Sequence, residues 1–197
     1  MSRRHFGWQL ATAACLLLSA GAQGATIQTT QISASTLLGQ YVYFSIDQVH
    51  DGIVSDAPPY NGYASGFGVV SGRITLTLDQ AYDLDSFSLW NDINIADQGV
   101  RSFTLSFENA GGSTLATTPV YNAVSQFAPQ VYSFATVVGV KRVQLDVISS
   151  SLQIEIREVA FDGTVSVVPE PGALALMLAG LGVVGLVGGR ARRRHQR

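Results

Sequence analysis

The chain has 197 residues, 12 basic and 14 acidic side chains, a formal net charge of −2 and a single cysteine. Residues 25–167 hold five basic and thirteen acidic side chains, a net of −8, so they offer no basic face for a nucleic acid. Cys15 lies near the N-terminus, which excludes disulfides, cysteine nucleophiles and cysteine–metal centres from that stretch.

The first predicted element is an export signal. Met1-Ser2-Arg3-Arg4-His5 is a basic start, residues 10–20 are apolar, and Ala20-Gly21-Ala22 and Ala22-Gln23-Gly24 offer small-residue cleavage sites. That order is a secretory signal peptide over 1–24, to be removed by signal peptidase. The remainder up to residue 167 has the size of one domain.

Strands are expected next. Residues 73–78, 102–107, 142–147 and 152–157 alternate apolar and polar side chains with a period of two, the mark of a strand with one buried and one wet face. Further strands are expected at 41–46, 84–90, 115–121 and 131–138, rich in Val, Thr, Ser and aromatics. Turn chemistry separates them at Asp51-Gly52, Pro58-Pro59, Asn61-Gly62, Asn91-Asp92, Gly111-Gly112, Val138-Gly139 and Asp162-Gly163. No helical stripe of useful length occurs. Many short strands with turn-rich breaks predict an all-β antiparallel sandwich of the jelly-roll kind.

The chain closes on a three-part segment. Val168-Pro169-Glu170-Pro171 precedes an apolar run over 172–189, and Arg190-Ala191-Arg192-Arg193-Arg194 follows. The run has the length of a membrane-crossing helix. The arginines should remain cytoplasmic, which puts residues before Pro169 on the outer side of the inner membrane.

Pro169, Glu170 and Pro171, the helix and the arginine cluster together resemble the PEP-CTERM sorting signal of Gram-negative bacteria. The resemblance implies processing near Pro169-Glu170-Pro171 by an exosortase. It also implies transient anchoring, then a place at the cell surface or in an exopolysaccharide, biofilm or other extracellular matrix. A second likeness lies in the strand order. Residues 74–85, Val100-Arg101-Ser102-Phe103-Thr104-Leu105-Ser106-Phe107, Lys141-Arg142-Val143-Gln144-Leu145 and Ile156-Arg157-Glu158-Val159-Ala160-Phe161-Asp162-Gly163 are similar to successive strands of discoidin-like domains. That likeness implies a galactose-binding-like jelly roll, often a glycan binder with a structural calcium ion (Ca2+).

Glu158 adds a physical clue. Counting by twos from Leu152, Ile154 and Ile156 puts it on the apolar face, where a carboxylate is costly unless paired or bound to a cation. Either Glu158 ligates a metal, with Asp51 and Asp56 as further hard oxygen donors, or a bulge turns Val159 and Phe161 inward. A loop aspartate alternatively just caps a turn.

Candidate ligand residues are Trp90 with Asn91 and Asp92 at a strand end, Tyr60 and Tyr63 in the proline- and glycine-marked loop, and Arg101 at a strand start. For Trp90 the competing reading is a core or edge tryptophan, for the tyrosines a fastening of their loop, and for Arg101 a solvated edge.

Catalysis finds little support. His50 is the only histidine of residues 25–167, no nucleophile elbow accompanies it, and no phosphate loop occurs. The sequence therefore favours a non-catalytic, glycan-binding module. The alternatives are a purely structural matrix protein and a glycosidase using two of the thirteen acids.

Overall fold

A computed structural model describes residues 24–55, 57–93, 98–149 and 151–167. The signal segment, Asp56, the sorting motif Pro169, Glu170 and Pro171, and the apolar run at 172–189 lie outside the described residues. Among those described, no helix is long and apolar enough to cross a membrane.

The fold is all-β and antiparallel. Its strands are β1 (Ala25–Thr26), β2 (Ile32–Thr36), β3 (Tyr63–Ala64), β4 (Ser71–Asn91), β5 (Val100–Glu108), β6 (Thr114–Thr117), β7 (Tyr121–Asn122), β8 (Gln130–Ser149) and β9 (Glu155–Val165). Among the described residues the helical pieces are two 3-10 turns, Thr29–Gln31 and Ile46–His50. The strands run β1-β9-β4-β8-β5-β6, with β2 added to β4, β3 to β9 and β7 to β5. This continuous sheet curls so that its two halves share one core.

The curl is carried by β4 and β8, which pair from Ser71↔Ile148 to Leu89↔Gln130 with register shifts between Thr77 and Ser86. Before the shifts, β4 packs between β2 and the second half of β8; after them it packs between β9 and the first half of β8. Bulges of this kind bend and twist a ribbon. The bend brings Phe87 of β4 to 5.3 Å from Phe103 of β5, in an edge-on contact. Phe161 lies 5.3 Å from Phe87, and Tyr132 lies 4.9 Å from Phe103. Ile74, Leu76, Leu105, Phe107, Val143 and Leu145 complete the buried centre.

The structure corrects several expected boundaries. Residues 73–78 and 84–90 belong to one strand, and so do 131–138 and 142–147. Gly139, at φ +77°, bulges within β8 instead of reversing the chain, and its N–H donates to Asp83 Oδ1 at 2.9 Å. Asp162-Gly163 is likewise inside β9: a Cβ at Gly163 would stand 2.6 Å from Asp83 O, so the glycine permits close strand approach. No strand forms at 41–46; the chain there turns and enters the second 3-10 piece.

Of the two readings of Glu158, the structure shows the bulge. Trp90 faces Glu158 but Asn91 faces Ile156, so Arg157 is an extra residue in β9. That bulge moves the buried set from Ile154 and Ile156 to Val159 and Phe161. Glu158 itself is still only 3% exposed.

Candidate functional site

Two features meet at one end of the sandwich, both built on the irregular start of β9. The first is a carboxylate pair. Glu158 Oε2 accepts the Gly52 N–H at 3.3 Å, which fastens the loop after the second 3-10 turn to β9. Burial pushes the Glu158 carboxyl up to about 8, and the charge of Asp51 pushes in the same direction, against the backbone N–H groups of Gly52 and Asp51. Asp51 is itself a turn cap, its Oδ1 accepting from Ile53 N at 2.9 Å. Asn61 Nδ2 stands among three oxygens, both of Asp51 (3.0 and 3.1 Å) and Ile53 O (2.9 Å). The loop is thus rich in hard oxygen donors around two neighbouring carboxylates. Among the described residues no three His, Cys, Asp or Glu side chains converge, so other ligands of a cation there would be backbone or amide oxygens.

The second feature is a cavity of about 280 Å3. Its walls come from β3, Asp92 and Ile93 just after β4, Gln98 and the start of β9, with Tyr41, Tyr60 and Phe67 contributed by loops. Tyr60 and Phe67 are 40% and 71% exposed. Gly62 lets the Tyr60 loop lie on β9: at φ +137° a Cβ would meet Ile156 O at 2.5 Å.

The polar wall holds Asp92, Gln98, Gln153, Glu155 and Arg157. Burial raises the Glu155 carboxyl, with Gln153 opposing and the charge and hydrogen bond of Asp92 adding to the rise. Arg157 is buried in the bulge. It donates from Nε to Asn91 O (2.6 Å) and from Nη2 to Gln126 O (2.9 Å) and Phe127 O (3.0 Å), with its guanidinium 6.0 Å from the Phe127 ring centre.

The residues singled out in the sequence are dispersed by the fold. Tyr60 and Asp92 line the cavity. Tyr63 also lines it but is no loop side chain: it sits in β3, 1% exposed, and its hydroxyl donates to Gly39 O at 2.7 Å. Burial pushes that phenol up to about 12. Asn91 is a strut. Its Nδ2 donates to Val100 O (2.7 Å) and Val124 O (3.1 Å), while Oδ1 accepts from Val100 N (2.7 Å) and Asp92 N (3.0 Å). Trp90, half-buried opposite Glu158, and Arg101, exposed on β5, are not among the cavity residues. The sequence reading missed Tyr41, Phe67, Gln98, Gln153, Glu155 and Arg157. Gln153 and Glu155 had left a signal, as the polar members of an alternating stretch, but alternation does not tell cavity from bulk water.

The comparisons with known proteins divide along the chain. Residues 167–194 match the PEP-CTERM protein-sorting motif. The chain carries that sorting signal. The rest shares its fold with carbohydrate-binding modules and discoidin-like domains. A family 32 carbohydrate-binding module from Clostridium perfringens NanJ, solved in complex with galactose, has a TM-score of 0.61 at 10% identity over 71% of this chain and 98% of its own. An F5/8 type C domain from Bacteroides fragilis gives 0.60 at 13% identity over 73% and 99%. The third module from a family 31 glycoside hydrolase of Clostridium perfringens gives 0.59 at 14% over 71% and 95%. No curated protein sequence matches.

Proposed function

We propose that the protein is an exported, surface or matrix protein whose β-sandwich binds a glycan without acting on it. The carrying observation is the cavity: exposed aromatic rings beside a wall of hydrogen-bonding side chains, on a fold shared with a galactose-complexed module. Aromatic faces suit sugar rings, and a few polar groups set orientation.

The acid pair of the cavity lacks the usual glycosidase spacing. Asp92 and Glu155 are within hydrogen-bonding contact, whereas glycosidase carboxyl pairs stand roughly 5–9.5 Å apart. Among the described residues His50 has no hydrogen-bond partner on either ring nitrogen, so it forms no relay with a described serine or aspartate. The test is a glycan array read with the calcium-loaded protein, followed by product analysis on any ligand found. Specific retention without hydrolysis is expected; retention of no saccharide would favour a purely structural matrix role, and hydrolysis a glycosidase.

A calcium ion fits the loop end. Asp51 and Glu158 would hold it, neutralising two carboxylates that burial and mutual repulsion set against one another. The ion would brace the 51–61 loop that carries Tyr60.

For the C-terminus, we infer exosortase processing near Pro169-Glu170-Pro171 after export across the inner membrane of a Gram-negative cell. Intact mass of the mature protein should lack Arg190–Arg197; their retention would replace sorting with a plain one-helix anchor.

A further inference from the structure

The loop between β7 and β8, residues 123–129, has no regular structure yet is braced along its length. Ala123 N donates to Arg101 O at 2.9 Å. Val124 O accepts from Asn91 Nδ2 at 3.1 Å and from Gln130 Nε2 at 2.7 Å. Ser125 Oγ donates to Asp92 O at 2.6 Å, and Arg157 Nη2 donates to Gln126 O and Phe127 O at 2.9 and 3.0 Å. Arg157 is only 4% exposed, and a buried guanidinium persists only where partners meet its charge and its donors. A buried arginine and a buried asparagine are thus committed to fixing one short loop. What that loop presents to solvent is apolar: Phe127 is 63% and Val124 58% exposed. A phenylalanine left in water contributes little to folding. Held on a fixed backbone, it loses little entropy when a partner covers it.

We propose that Phe127 is a second saccharide platform, covered by a sugar unit that leaves the cavity, so that the site takes an oligosaccharide rather than a single ring. The inference rests on the glycan-binding reading and names its ligand class. The loop adjoins the cavity: Asp92 and Arg157 both line it, and the Arg157 guanidinium is 6.0 Å from the Phe127 ring centre. Phe127 is not itself among the cavity residues, so a ring held inside does not rest on it. The cavity, about 280 Å3, is at the low end for ligand sites, and a chain too long for it must leave across a rim. The rim beside Asp92 and Arg157 offers that chain an aromatic face already in place. Sugar rings carry apolar C–H faces that suit such a ring, and Tyr60 and Phe67 present rings of the same kind in the cavity. Phe127 continues that aromatic lining outward.

The test is an array of galactan, glucan and hexosamine oligomers, from monosaccharide to hexasaccharide, read with the full-length protein in detergent. Titration calorimetry then compares the monosaccharide and the tetrasaccharide of each retained series. The tetrasaccharide should bind about tenfold or more tightly, the worth of one anchoring aromatic contact. Phe127→Ala should remove most of that preference and leave the monosaccharide within about twofold. Phe127→Trp, which keeps an aromatic face, should retain the preference, so a general defect of folding does not mimic the result. Equal affinity for short and long sugars, or a length preference that survives Phe127→Ala, overturns the inference and leaves glycan binding standing. A dimer in sedimentation that Phe127→Ala dissociates overturns it in favour of a second copy of the chain on this loop. Retention of no saccharide of any length removes the glycan reading as well.

Discussion

The middle of the sandwich and its loop end are built by opposite rules. In the middle, Phe87, Phe103, Phe161 and Tyr132 pack in offset and edge-on contacts, and burial follows strand alternation. At the loop end burial is polar: of the described buried polar residues, all but Ser86 (Ser65, Asn91, Asp92, Gln98, Ser149, Gln153, Arg157 and Glu158) belong to the cavity, the β9 bulge or their struts. The difference teaches where stability is generated and where it is spent on placing hydrogen-bonding groups. Dry apolar packing tolerates no function, whereas buried polar groups persist only if partners meet them.

That contrast can be broken by substitution. Phe103→Ala should cost about 3–5 kcal/mol by denaturant unfolding, since it removes a ring wedged between both halves of the sheet. Asn91→Ala should cost about 2–3 kcal/mol without touching the aromatic core, because it strips partners from Val100 N and O inside the protein. A cost under about 0.5 kcal/mol would show that water replaces the amide and that the loop end is wetter than its burial implies.

A smaller effect depends on pH. The folded pKa of Glu158, about 8, lies above its ordinary 4.5, so the folded state holds this proton more tightly than the unfolded chain. Its contribution to stability is complete below about pH 4.5 and is lost as pH rises toward 8. In a chelator the melting midpoint should drop by several degrees across that interval. Calcium at pH 8 should restore it, the cation replacing the proton. Glu158→Gln should flatten the slope. A midpoint indifferent to both chelator and pH would remove the calcium proposal.

The smallest stability change with the clearest functional one is expected for Tyr60→Ala. An exposed ring at the cavity should cost under about 0.5 kcal/mol of folding stability, yet weaken saccharide binding roughly tenfold. Equal loss of both would make Tyr60 a loop fastener.

Much of this fold was legible in residue order. The alternating runs at 73–78, 102–107 and 142–147 became parts of β4, β5 and β8 because each needs one dry face, and the dry face is written as every second residue. The bends were not legible. Residues 79–83 fell between two expected strands and Val138-Gly139 read as a turn, yet the long strands pass through both, with register shifts that only the pairing of β4 to β8 defines. The site was legible in fragments. Tyr60, Asp92, Asp51 and Glu158 drew notice by residue type, but Asn91 looked like a ligand and proved a strut. Glu155 looked wet and proved to line a cavity.

The sequence by itself determined an all-β antiparallel chain, a carboxylate out of phase with its strand, and a sorting signal at the end. These are local matters of period, residue chemistry and order. Only the tertiary structure decided that Arg157 is an extra residue in β9, that Asp51 meets Glu158, and that Asp92, Gln98 and Glu155 share one wall. Those residues come from separate stretches of chain. Their meeting depends on how far a sheet of nine strands curls, which no short window of residues encodes.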